Sequence, residues 1–162
     1  MLRNIFLLST VLLLLNAFAS SGYTGSSNDL AIIVNKTESV STLSDSDLRI
    51  IYLGQRDQWS DGSKVVAIIP ALDTPEAQML LKTACHMAPG DYKKYFMQMA
   101  FQGKSFSIVK TAPSTALVKA LVSQTPGAIG IVRASQVDAS VSVVKLDGTA
   151  PGEPGYKLAM ER

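Results

Sequence analysis

The sequence predicts a layered α/β domain. Short apolar runs rich in Ile and Val stand at residues 30–34, 65–69 and 128–132. Between them, apolar residues recur at helical spacing, and helix-start and helix-stop residues mark the junctions. Strands interleaved with helices give layered α/β packing, although order along the chain fixes neither strand order nor strand direction.

The 162 residues suit one compact domain, and a hydrophobic fraction of 47% argues against wholesale disorder. The first 19 residues, MLRNIFLLSTVLLLLNAFA, read as an export signal. Arg3 supplies the positive start, Ile5 to Leu15 the apolar stretch, and Ala17-Phe18-Ala19 the small-x-small cleavage pattern. A spanning helix needs about 20 apolar residues, which leaves an uncleaved anchor as the weaker alternative. Cleavage near Ala19 leaves 143 residues in an exported chain, periplasmic or secreted. Residues 20–29 are polar and glycine-containing and are expected to form a flexible leader.

The elements follow in order. Leu30–Val34 (LAIIV) is a continuous apolar run, as a strand covered on both faces requires. Ser44-Asp45-Ser46-Asp47 has the form of a capped helix start. Leu48, Ile51 and Tyr52 continue that helix, and Gly54 suits its end. Residues 55–62, QRDQWSDG, form a polar turn with the single Trp, and VVAII at 65–69 is the next strand.

Asp73-Thr74-Pro75-Glu76 opens a helix whose apolar face is Ala77, Leu80, Leu81, Ala84 and Ala88. Pro89-Gly90 breaks it. Tyr92, Tyr95, Phe96 and Met99 make the next helical face, which ends at Gly103. Phe106–Val109 is a possible short strand. Pro113-Ser114 opens a helix with Leu117, Ala120 and Leu121 inward, stopped by Thr125-Pro126-Gly127. Ala128–Val132 (AIGIV) is a strand in which Gly130 permits close backbone approach, and residues 141–146 form the last strand. The domain is thus expected over residues 30–147, with an irregular tail over 148–162 that is rich in Pro and Gly.

Composition excludes several functions. A formal net charge of +2, without a Lys/Arg cluster, gives no nucleic-acid footprint. One Cys and one His exclude an intrachain disulfide framework and multi-Cys or His-rich metal sites. Cys85 and His86 are adjacent on a helix, where neighbours point apart, so they make no dyad. Cys85 is expected to be buried. No Gly-x-Ser-x-Gly elbow, Walker loop or dinucleotide fingerprint occurs, and the acidic residues sit at helix starts and turns, where capping explains them. No catalytic residue, metal or cofactor is therefore assigned.

Binding remains. Free backbone N–H groups at helix starts attract anions, and residues 73–76 and 113–115 offer two such starts. The first is compromised by Asp73, Pro75 and Glu76, whereas the second is neutral and rich in hydroxyls, with Lys110 nearby. Capping alone also explains both.

Four segments taken together, AIIVN (31–35), LSDSDLRIIYLGQRDQWSDGSKVVAI (43–68), DYKKYFMQMAFQG (91–103) and TPGAIGIV (125–132), resemble the periplasmic phosphate-binding proteins of ABC transporters. The resemblance covers about residues 30–147. It implies a type 2 periplasmic-binding-protein-like layered α/β domain, about one lobe of the two that hold ligand in full-length members. The family's anion motif is an Arg on a strand followed by Ser-Gly-Thr opening a helix. Its place here, 69–76, reads IPALDTPE: no Arg is present, Thr74 stands for the Ser, and Pro75 and Glu76 replace Gly and Thr. High-affinity phosphate binding is therefore not expected to carry over.

The expected role is an exported, non-catalytic solute-binding-like protein. Its possible partners are a small anion such as phosphate and a membrane transporter or envelope protein. The candidate ligand residues are Asn35, Lys36 and Thr37 after the first strand, with Thr74 and Ser114 at the helix starts. The alternative is an envelope interaction or structural domain that kept the fold and lost the ligand.

Overall fold

A computed structural model describes residues 28–104, 107 and 109–160. The expected export signal and nearly all of the leader lie outside the described residues, as do Phe106 and Ile108. Among the described residues no helix is long and apolar enough to cross a membrane.

Six strands form one mixed sheet in the order β2-β6-β1-β5-β3-β4. They are β1 (Leu30–Val34), β2 (Thr42–Leu43), β3 (Val66–Pro70), β4 (Val109–Ala112), β5 (Ala128–Arg133) and β6 (Ser142–Leu146). β1 runs antiparallel to β5 and β6, whereas β3 runs parallel to β5 and β4, and β2 parallel to β6. All five residues of β1 are buried, because both faces of the sheet are covered.

Alternation divides the core into two layers. Leu30, Ile32 and Val34 point to a layer shared with α1 (Asp45–Tyr52), α2 (Pro75–Leu80) and α3 (Pro89–Phe101). Ala31 and Ile33 point to the layer under α4 (Thr115–Gln124). Each fully buried Leu or Ile contributes about 1.5–3 kcal/mol relative to exposure. Gly130 lets α4 lie close on β5: a Cβ there would stand 2.5 Å from Val118 Cγ1 and 2.9 Å from Val122 Cγ2.

The α1 start has the expected capping box, with the Ser44 side chain accepting from the Asp47 N–H and the Asp47 side chain accepting from the Ser44 N–H. Three local expectations are corrected. The helix opened at Thr74 does not reach Ala88. It passes into a π-helical turn over Leu81–Cys85 and ends at His86 in the left-handed region, φ 54°. Pro89 explains the stop, since the residue before a proline is driven out of helical geometry and Ala88 is extended. The pattern does break before Pro89-Gly90, at residues 86–88, and Pro89-Gly90 itself forms the first turn of α3. The residues that α4 buries are Val118 and Val122, not Leu117, which is 40% exposed. The strand expected at 106–109 is seen at Val109–Ala112, beside β3.

After β6 the described residues form turns without further helix or strand, yet Tyr156 and Leu158 are buried in the larger core. The Tyr156 hydroxyl donates to the Leu30 carbonyl at 2.6 Å, and the Leu30 N–H donates to the Leu158 carbonyl.

Candidate functional site

Strand direction sorts the candidate residues. β3, β4 and β5 run the same way, so their C-terminal ends share one rim of the sheet. β1 runs against β5, so its C-terminal end lies at the opposite rim, where Val34 pairs with Ile129. Asn35, Lys36 and Thr37 therefore sit where β3 and β5 begin, and Thr74 and Ser114 where β3 and β4 have ended. The length of β5, about 17 Å at 3.3 Å per residue, separates the two groups. The structure does not bring the five together around one small ligand.

The first rim is closed by hydrogen bonds. Asn35 is buried, and its amide donates to the Val122 and Ser123 carbonyls at 2.9 and 3.1 Å, holding the end of α4. Its Oδ1 accepts from the Thr37 N–H at 3.0 Å and the Thr37 hydroxyl at 2.8 Å. Two donors and two lone pairs are the full capacity of an Asn side chain, so Asn35 has none left for a ligand. Glu38, also buried, accepts from the Gly127 N–H at 2.8 Å and the Ser63 hydroxyl at 3.4 Å. Trp59 Nε1 donates to the Gly127 carbonyl at 3.0 Å. Gly127 has φ 76°, and a Cβ there would stand 1.9 Å from the Lys64 carbonyl oxygen. The Trp-x-Asp-Gly turn and the Pro-Gly-Ala-Ile-Gly segment thus meet in a structural knot. Lys36 at this rim is exposed to solvent.

The opposite rim is more open. The Thr74 hydroxyl caps α2, accepting from the Ala77 N–H at 3.3 Å and donating to the Ala71 carbonyl at 2.7 Å. Ser114 is exposed and accepts from the Leu117 N–H at 3.3 Å, which leaves its own proton available. Lys110 is exposed on the edge strand β4. Between these points lies an ion pair that no motif marks. Arg133, the last residue of β5, donates from Nε to Glu76 Oε1 at 2.6 Å. The Glu76 side chain is 10% exposed and that of Arg133 36%. Only the alternation from Ile129 through Ile131 points Arg133 toward the layer of α2. A cation does stand at the start of this helix, but a neighbouring carboxylate already occupies it, and an arriving anion would meet that charge.

A groove of about 440 Å³ opens beside this rim, between α3 and the β3–β4 edge. Ile69, Leu72, Tyr92, Phe96, Met97 and Val109 give it apolar walls, and Lys93 and Thr111 are its polar members. The Tyr92 hydroxyl is committed elsewhere, donating to the Tyr52 carbonyl at 2.5 Å.

Catalytic chemistry finds little support in the remaining reactive groups. Burial pushes the Cys85 thiol up to about 11, so it is protonated at neutral pH. His86 beside it is exposed, in the left-handed region. Among the described residues no group of three or more His, Cys, Asp or Glu is placed to hold a metal ion.

No family model matches the sequence. Solved structures do match the fold. One is an ABC-type phosphate transport receptor from Vibrio cholerae, with TM-score 0.53 and 20% identity, covering 76% of this chain and 48% of that one. A putative phosphate ABC transporter substrate-binding protein from Clostridium perfringens, solved with bound phosphate, gives TM-score 0.60 and 22% identity over 76% of this chain and 47% of that one. A phosphate-binding protein from Stenotrophomonas maltophilia gives TM-score 0.55 and 19% identity over 76% and 40%. The chain spans about half the length of these proteins or less. In fold, it is similar to about one lobe of a phosphate ABC transporter substrate-binding protein.

Proposed function

We propose that this chain is an exported, non-catalytic solute-binding-like protein that does not retain high-affinity phosphate binding. The likeness of its fold to phosphate substrate-binding proteins supports the role. The Glu76–Arg133 pair carries the loss of affinity, because the one guanidinium at the α2 start already has a carboxylate at 2.6 Å. Solute is bound at the rim formed by the C-terminal ends of β3, β4 and β5, where Ser114 keeps a hydroxyl proton to donate, whereas the Thr74 hydroxyl gives its proton to the Ala71 carbonyl and serves the cap of α2. Asn35 and Thr37 serve the fold, and Lys36 stands apart from the ligand. A membrane transporter or another envelope protein is the partner that such a role requires.

Calorimetry on the chain lacking residues 1–19, with phosphate and sulfate as titrants, tests this reading. The expected result is binding no tighter than about millimolar, a free energy near −4 kcal/mol. Micromolar or tighter phosphate binding would overturn it.

The alternative of an interaction domain has one observation on its side. Met97 and Phe101, four residues apart on α3, are 58% and 86% exposed and form a neighbouring apolar pair on the surface. Recovery of a specific envelope partner by the intact protein, abolished by Phe101→Ser, would favour it.

A further inference from the structure

We infer that the groove between α3 and the β3–β4 edge is a binding site for an amphiphilic carboxylate, an apolar chain bearing one negative head. This rests on the solute-binding reading and names the solute. The volume, about 440 Å³, falls within the roughly 300–1,000 Å³ of small-molecule sites. Apolar side chains make most of its wall, a poor lining for a compact, strongly hydrated anion such as phosphate.

Charge selects the head. Among the described residues, Lys93 is the one charged residue lining the groove, and no carboxylate lines it. No ion pair to Lys93 occurs among the described residues, whereas its neighbour Lys94 lies 3.8 Å from Asp91. The Thr111 hydroxyl stands on the same groove. A carboxylate head can therefore pair with the Lys93 ammonium without displacing an ion-pair partner, with Thr111 as a further polar residue of the wall.

Helix geometry selects the tail. Lys93, Met97 and Phe101 follow one another at intervals of four residues and so share a stripe of α3. That stripe runs about 12 Å, the reach of a chain of about ten carbons. Met97, which lines the groove, is 58% exposed, and Phe101, beyond the lining at the far end of the stripe, is 86% exposed. The Lys93 end supplies the positive charge, and the opposite end is apolar.

The test uses decanoate as the probe, read by calorimetry and by melting temperature on the full mature chain. Decanol and decyltrimethylammonium are the neutral and cationic comparisons. Decanoate should bind one-to-one and raise the melting temperature, with decanol weaker and the cation weakest. Lys93→Gln should weaken decanoate by about 5-fold, the scale of an exposed ion pair, and leave decanol unchanged. Met97→Asp, at an exposed position where folding should survive, should weaken decanoate by about 10-fold or more. Absence of saturable decanoate binding by the folded protein would overturn the inference, as would equal affinity in both variants. Phosphate is titrated in parallel. Micromolar phosphate binding without decanoate binding would overturn both the inference and the affinity proposed above. Decanoate binding that phosphate does not compete for would support the inference and leave the solute-binding role intact. Absence of any binding would overturn the inference and leave the loss of phosphate affinity standing.

Discussion

The two rims of the sheet use similar residue types to opposite ends. At the rim where β3 and β5 begin, Glu38 and Trp59 bond to Gly127, and the Asn35 side chain spends its full capacity on Val122, Ser123 and Thr37. At the rim where β3, β4 and β5 end, Ser114 keeps a free proton, Lys110 is exposed and an apolar groove stands open. Polar residues after a strand thus mark a ligand site only when their capacity is unspent. The closed rim specifies the fold, because a buried polar group that loses its partner is costly. The open rim carries fewer such bonds, so substitutions there should leave the sheet folded.

The largest expected effect lies at the closed rim. Gly127→Ala places a Cβ where 1.9 Å separates it from the Lys64 carbonyl oxygen, at φ 76°. It should cost about 3 kcal/mol or more, read as a fall in urea midpoint. A stable Gly127→Ala protein would break the contrast between the rims. Asn35→Ala comes next. It strips the Val122 and Ser123 carbonyls of their donor and should cost about 2 kcal/mol in the same assay.

Between these and the open rim stands the buried thiol. Cys85 is raised from 9.0 to about 11, first by burial, with nearby Asp45 adding and Arg49 opposing. The unfolded chain therefore loses this proton at lower pH than the folded one. The associated stability is full below about pH 9 and is lost as pH rises toward about 11. Comparing urea midpoints of the wild type and Cys85→Ala across that window checks the sign: the wild type should lose stability faster. Alkylation of the native protein at neutral pH should likewise be slow until it is unfolded.

The smallest effect belongs to the open rim. Ser114→Ala removes a cap accepted at 3.3 Å and should cost about 1 kcal/mol or less. A cost as large as that of Asn35→Ala would show Ser114 to be part of the structural frame instead.

The elements that depend on local chemistry were legible in the sequence. The LAIIV run is a strand covered on both faces, Ser44 and Asp47 form their capping box, and Gly130 meets α4 at close range. The misread details depend on packing. Leu117 and Val118 are both apolar and adjacent, and only the position of α4 over β5 decides that Val118 turns inward. The candidate site was harder to see because it depends on strand direction. Lys36 and Thr74 look equivalent as residues following strands, yet the antiparallel pairing of β1 with β5 puts them at opposite rims. The Glu76–Arg133 pair spans 57 positions of sequence, a separation that no local pattern reports.

The most direct test is an amide chemical-shift map recorded while phosphate, and then decanoate, is added to the isotopically labelled mature chain. The expected result is small, unsaturated shifts with phosphate and saturable shifts with decanoate. The latter should be centred on residues 69–72, 92–97 and 109–111, with residues 35–38 and 127 unmoved. Saturable phosphate shifts in the micromolar range would contradict the loss of phosphate affinity, and shifts concentrated at Asn35 and Glu38 would contradict the assignment of the open rim.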